Sequence, residues 1–217
     1  SDSEFNIILM RVSQKVEVRI GLESNYFMNL QKNVFDSTNI SEENLTLNLY
    51  FEGSEVQISN SYYSKNTQRL KYIFSPLKTG EFLKKNALEF SKTNTVFVGM
   101  NCGYGAGYLK LKNSWVDDLT KLLKFNFTMF FTYTNDYEDM KGELGIIRDL
   151  LGAKIFKEIL NNPFKCMTTY NNEEEGLWRC VNYGIYFVSG YAKDKLMKLS
   201  KLDANQMKNE IKKALEN

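Results

Sequence analysis

The chain has 217 residues, 43% of them hydrophobic and 14% aromatic, enough to fold around a substantial core and too apolar for a disordered chain. Lys and Arg number 28 against 26 Asp and Glu, a formal charge of +2 that by itself predicts no nucleic-acid groove. There is no histidine, which excludes Ser-His-Asp and Cys-His catalytic units and His-ligated zinc or iron within this chain.

Cys102, Cys166 and Cys180 lie far apart with no C-x-x-C, so a Cys₄ zinc site is excluded too, and reduced thiols of an intracellular protein are expected. No run of eighteen apolar residues occurs, so no membrane span is expected. The first residues also lack the basic flank and cleavage site of a secretory signal.

In chain order, residues 5–22 hold two short alternations, FNIILMRV and KVEVRIGL, that read as strands or a hairpin. Residues 25–43 read as a short helix and a polar loop. LTLNLYF (45–51) alternates as a half-buried strand ended by Gly53, and RLKYIFSPL (69–77) reads as another, stopped by Pro76. TGEFLKKNALEF then has helical spacing from Thr79 or Gly80, and TVFVGM (95–100) is the continuous apolar run of a strand covered on both faces.

SWVDDLTKLLKF places Trp115, Leu119, Leu122 and Leu123 on one helical face, with Ser114 as N-cap. FTMFFTY (127–133) is again a buried strand. Residues 135–160 read as one or two helices entered through Asn135 or Asp136 and closed by Asn162-Pro163. FKCMTTY and RCVNYGIYFVSGY, joined by NNEEEG, carry a hairpin signature, with Glu173–Glu175 at its solvated tip. Residues 192–217 form an amphipathic helical pattern.

This alternation predicts an α/β chain: a three-layer Rossmann-like sandwich, mostly parallel, with an antiparallel edge hairpin. Residues 1–44 are expected to pack strands and a helix on a core domain of 45–191.

Two clusters are candidate sites. Asn101, Gly103, Gly105 and Gly107 follow a strand, where many α/β proteins hold a phosphate. Their spacing is neither G-x-G-x-x-G nor a Walker loop, which would end in Gly-Lys-Ser/Thr. The rhythm imitates the S-adenosylmethionine loop of class I methyltransferases, yet Gly99 stands where that loop has its acid and Asn101 replaces its first glycine. The alternative is that these glycines serve positive φ angles at a strand-to-helix crossing.

The second cluster is acidic: Asp136, Glu138, Asp139 and Glu143 follow FTMFFTY. Such carboxylates hold magnesium in some α/β sites, and they also complement a helix dipole, as Asp117 and Asp118 are expected to do. Trp115 reads as core rather than as a stacking platform. Asn162-Pro163-Phe164 matches an endocytic peptide but lies where a helix stop is expected.

Several of these segments, taken in order, resemble the C-terminal domain of mitochondrial splicing suppressor-type MYND-finger proteins over about Leu45 to Tyr191. They are LTLNLYFEGSEV, FVGMNCGYGAGYLKLKNSW, FTMFFTYTNDYEDMKGEL, NNPF and CVNYGIYFVSGY. The family commonly has proline after the glycine where this chain has Gly53-Ser54. Its zinc finger needs a Cys/His cluster that these residues cannot supply, so the finger is expected outside this chain.

The resemblance implies a non-catalytic interaction or regulatory domain in mitochondrial or nuclear gene-expression control, with a protein partner and neither cofactor nor catalytic residues to carry over. Mitochondrial, nuclear and cytoplasmic locations all stay open. An S-adenosylmethionine-dependent methyltransferase or degenerate relative is the alternative, and RNA binding through scattered Lys, Tyr and Phe is a third reading.

Overall fold

Side chains that alternate or run continuously apolar bury a strand on one or both faces, and here those runs assemble into an α/β, three-layer Rossmann-like sandwich. The computed structural model describes residues 3–24, 27, 30, 45–58, 60–64, 67–105, 109–135, 137–159, 161–163, 165, 169–172 and 177–192. The strands are β1 (Ser3–Met10), β2 (Leu45–Glu52), β3 (Ser61–Ser64), β4 (Thr67–Ser75), β5 (Thr95–Met100), β6 (Thr128–Tyr133), β7 (Ala153–Ile159), β8 (Thr169–Asn172), β9 (Leu177–Cys180) and β10 (Gly184–Tyr191).

The helices are α1 (Arg19–Glu23), α2 (Thr79–Asn86), α3 (Leu109–Phe125) and α4 (Tyr137–Leu144). A π-helical turn, Gln14–Val18, leads into α1, and another, Gly145–Leu150, extends α4. The sheet order is β3-β4-β2-β1-β5-β6-β10-β7, with β8 and β9 as a separate ribbon. The chain divides inside β5 into two compact units, Ser1–Val98 and Gly99–Asn217.

In the first unit β1 pairs in parallel with β2 along its whole length, from Ser3 opposite Leu45 to Met10 opposite Glu52. It pairs with β5 on its other side, from Asn6 opposite Thr95. The core is aliphatic and aromatic: Leu47, Leu49, Phe51 and Leu70 have no exposure, and Phe51 stacks on Phe74 at 4.8 Å.

One polar ladder crosses this core. Asn48 Nδ2 donates to Asn6 Oδ1 at 3.0 Å, and Asn6 Nδ2 donates to Thr95 Oγ1 at 3.2 Å, all three residues being buried. Parallel strands buried on both faces have little hydrophobic contrast to fix register. A ladder whose groups meet only when 6, 48 and 95 are level supplies that constraint.

In the second unit β10 runs antiparallel to both β6 and β7. Its buried face, with Tyr186 and Val188, meets Met129 and Phe131 of β6, and α3 contributes Trp115, Leu119, Leu122 and Leu123 to this unit's core.

Four local expectations are corrected. KVEVRIGL is helical, because Ser13 caps the turn: its Oγ accepts from Lys15 N–H at 3.2 Å and its own N–H donates to Glu17 at 2.7 Å. A crossover that returns the chain parallel to β1 also has to leave the sheet. α3 starts at Leu109, so Ser114 is no cap and donates to Leu111 O within the helix, while Asp117 and Asp118 lie beyond its first turn.

Residues 153–159 form β7 rather than helix. Gly152, at φ 70°, ends the helical segment, and Ile155, Phe156 and Ile159 only imitate helical spacing. The antiparallel partners within the sheet are therefore β10 with β6 and β7, while the expected hairpin is the β8–β9 ribbon. The short polar β3 carried no apolar pattern to announce it. The expected amphipathic segment after Ala192, Gly107, Asp136 and the Glu173–Glu175 tip lie outside the described residues.

Replacing Asn6 with Val should lower stability by about 1–2 kcal/mol, since the Asn48 amide and the Thr95 hydroxyl lose their common buried partner and keep only Glu4 and Asn94. Urea unfolding of Asn6→Val, Asn48→Val and the double variant should show the double costing clearly less than the sum of the singles.

Candidate functional site

Ligands of open α/β sheets gather beyond the carboxyl ends of strands, and in the second unit the segment leaving β5 occupies such a position. Its geometry begins with Asn101, which adopts φ 46°. The Asn101 N–H donates to Thr132 O at 3.0 Å, and its side-chain amide exchanges hydrogen bonds with Asn182. Nδ2 donates to Asn182 Oδ1 at 2.9 Å, and Asn182 N–H donates to Asn101 Oδ1 at 2.8 Å.

Thr132 Oγ1 donates to the same Asn182 Oδ1 at 2.7 Å, and Asn162 Nδ2 donates to Asn182 O at 2.9 Å. Asn135 ties the exit of β6 to the end of β9, exchanging bonds with the Cys180 backbone at 2.6 and 3.2 Å. Side-chain amides suit this task because one group donates and accepts at once, and asparagine tolerates the left-handed backbone held by both 101 and 182.

Gly103 follows at φ 64°, and its N–H donates to Glu143 Oε1, 3.0 Å away. The other carboxyl oxygen, Oε2, accepts from the Tyr186 hydroxyl at 3.0 Å, and that hydroxyl also shares a short hydrogen bond with Tyr104. Glu143, Tyr104 and Tyr186 have no solvent exposure. Around them Phe131 stacks on Tyr186 at 5.1 Å and Trp115 tilts against Tyr104 at 5.4 Å.

The backbone closes in as well. A Cβ at Gly142 would stand 2.3 Å from the Gly105 carbonyl oxygen, so a glycine at 142 is required by the close approach of α4 to the segment.

Burial raises the acid–base range of this cluster. The Tyr186 hydroxyl is held well above its ordinary range by burial first, then by the nearby Tyr104 and Glu143. Tyr133, beside Tyr186 at a 6.0 Å ring separation, is pushed up to about 12, again by burial first and then by Glu158, Tyr183 and Glu143. Its hydroxyl is buried and makes no hydrogen bond among the described residues. The row Tyr104–Tyr186–Glu143 is hydrogen-bonded within itself and has no solvent exposure.

The structure thus brings Asn101, Gly103, Gly105 and Glu143 together. Glu138 and Asp139 lie in the first turn of α4. Among the described residues no three His, Cys, Asp or Glu side chains converge to hold a metal ion. No described helix is long and apolar enough to cross a membrane. Asn162 is buried and bonded to the turn before β10, so it is not presented as a free peptide. Trp115, 3% exposed, is core.

Sequence reasoning missed Tyr104, Tyr186 and Asn182 as members of the cluster. Only the aromatic residue between two glycines and the Asn after Cys180-Val181 signal them.

In the first unit the acid at the carboxyl end of β2, Glu52, is also fully buried. Thr79 Oγ1 at the start of α2 donates to its Oε2 at 2.7 Å. The segment after β1 is closed over by Val12 N–H donating to Glu52 O at 2.9 Å, and it holds no glycine between Arg11 and Ile20.

No protein-family model matches the chain, and no curated protein matches it.

Two substitutions with opposite signs test the cluster. Tyr186→Phe removes a donor from Glu143 and a partner from Tyr104, and should cost about 2–3 kcal/mol. Tyr133→Phe removes a buried hydroxyl and should leave stability unchanged or raise it by about 1 kcal/mol. Chemical denaturation of the two variants checks both.

A pH series gives a third test. Below pH 10 Tyr133 is neutral in both states; between 10 and about 12 the unfolded chain loses this proton while the folded chain keeps it, so stability falls across that window. Tyr133→Phe should make the fall shallower.

Proposed function

We propose that the chain is a non-catalytic, Rossmann-like interaction and regulatory domain of a MYND-zinc-finger-type protein acting in gene-expression control. The observation that carries this reading is the filling of the loop after β5 by the protein's own groups. Gly103 N–H is taken by Glu143, the space beside it by the fully buried Tyr104, and Gly105 by the approach of Gly142.

A phosphate or nucleoside cradle needs free amides and room at the strand end. Here the amide is satisfied and the room is occupied. The ordered segments shared with the splicing suppressor-type family give the regulatory part of the proposal, and the finger of such a protein would be supplied from outside these residues.

A second reading is an S-adenosylmethionine-dependent methyltransferase or a degenerate relative. It is favoured by β10 running antiparallel between β6 and β7, which suits that fold, and by Glu52 at the carboxyl end of β2, where nucleotide-binding sheets place a ribose-binding acid. Against it, Glu52 is buried and bonded to Thr79, and the turn after β1 lacks the glycines that let a cofactor approach backbone.

Calorimetry and thermal melting with S-adenosylmethionine, NAD and ATP discriminate between the two. The interaction-domain reading expects no heat of binding and no rise in Tm at millimolar ligand. A saturable rise of several degrees, lost in Glu52→Gln or Gly105→Val, would replace it with the cofactor reading.

A further inference from the structure

The second unit presents two unlike sheet faces. Tyr186 and Val188 of β10, with Met129 and Phe131 of β6, point to the buried side. Both described helices of this unit lie on that side, α4 through the Glu143–Tyr186 bond and α3 through Thr120 O, which accepts from the Tyr191 hydroxyl at 3.4 Å. On the opposite side the register sets Phe130 level with Phe187, and Phe187 level with Lys157.

A bulge between Phe187 and Val188 admits one extra residue of β7 to the same side, and that residue is Phe156. The three rings form a row, with centroids 5.2 Å apart from Phe130 to Phe187 and 5.7 Å from Phe187 to Phe156. Phe130 and Phe187 are half-buried and Phe156 is 51% exposed. An antiparallel face turned towards water is ordinarily polar, so an aromatic row there marks an interaction surface.

The charges around the row select its partner. Lys154, by alternation from Ile155 opposite Val188, and Lys157, level with Phe187, are exposed and share the aromatic side. Glu158 is level with Tyr186 and so belongs to the other side. The patch is apolar in its middle and basic at its margin.

A second copy of the same patch would bring lysines against lysines. Strand addition at the β7 edge is opposed by its bulge and lysines. Base stacking needs open ring faces, whereas Phe130 and Phe187 meet edge to face at 61°. We propose that the face carrying Phe130, Phe187 and Phe156 docks an acidic, apolar-anchored polypeptide segment of a partner protein; this rests on the interaction-domain reading above and names its surface.

The test uses the whole chain and a fluorescein-labelled peptide alternating Glu with Leu and Phe, read by fluorescence anisotropy. Saturable binding is expected with Kd at or below about 100 μM, weakening as salt rises. Phe156→Ser should weaken it at least about tenfold and Lys157→Glu about threefold or more. Phe156 is half exposed, so the variant's Tm should be unchanged, which separates lost binding from lost folding.

The inference is overturned by no saturable binding, by equal binding of a peptide with Lys in place of Glu, by preference for oligo-uridine RNA, or by undiminished binding to Phe156→Ser. A failure here with the cofactor titrations silent removes this surface alone. Cofactor binding removes the interaction reading itself, whatever the peptide does.

Discussion

The second unit depends on what Glu143 holds. A glutamate side chain with no solvent exposure must have its oxygens satisfied by the protein, and here one takes the Gly103 amide and the other the Tyr186 hydroxyl. Those two bonds connect the helix after β6, the segment after β5 and the antiparallel strand β10. Each neighbouring choice follows. Gly103 turns the chain through a left-handed backbone just after the amide that Glu143 takes, Gly142 has no side chain so that α4 can come within reach, and Tyr104 packs beside them and bonds to Tyr186. A buried network of this kind fixes one arrangement because each alternative leaves a polar group without a partner.

Segments far apart in the sequence meet at this network. Asn101 of NCGYG, Thr132 and Asn135 of TYTND, Asn162 of NNPF and Asn182 of CVNYG are joined by side-chain hydrogen bonds.

The sequence made the architecture legible wherever a hydrophobic pattern had one interpretation. TVFVGM, LTLNLYF and FTMFFTY are strands, and the face of Leu119, Leu122 and Leu123 is helical. It failed where two periods fit the same letters. KVEVRIGL alternates like a strand, yet the Ser13 and Glu17 cap makes it a turn of helix; AKIFKEI spaces its apolar residues like a helix, yet follows a glycine that ends one.

Within the site, Asn101 and the glycines were legible as candidates because they follow a strand directly, and Glu143 because it belongs to the acidic run after β6. Tyr104, Tyr186 and Asn182 were not, because their significance comes from pairing across 20 to 82 positions, which no local pattern records.

The first unit reaches a similar outcome by a different route. Its acid at the end of β2 is drawn inward to Thr79, and its polar ladder of Asn6, Asn48 and Thr95 fixes parallel register within a core that would otherwise slide. In both units polar side chains at sites where α/β sheets bind ligands are used to hold strands and helices together.

Amide hydrogen exchange across residues 99–105, measured with and without S-adenosylmethionine, tests the central claim most directly. If Glu143 and the tyrosines close this segment, the Gly103 amide is strongly protected in the free protein and the ligand changes nothing. Rapid exchange at Gly103 in the free protein, slowed on adding S-adenosylmethionine, would show an open ligand loop and contradict the account.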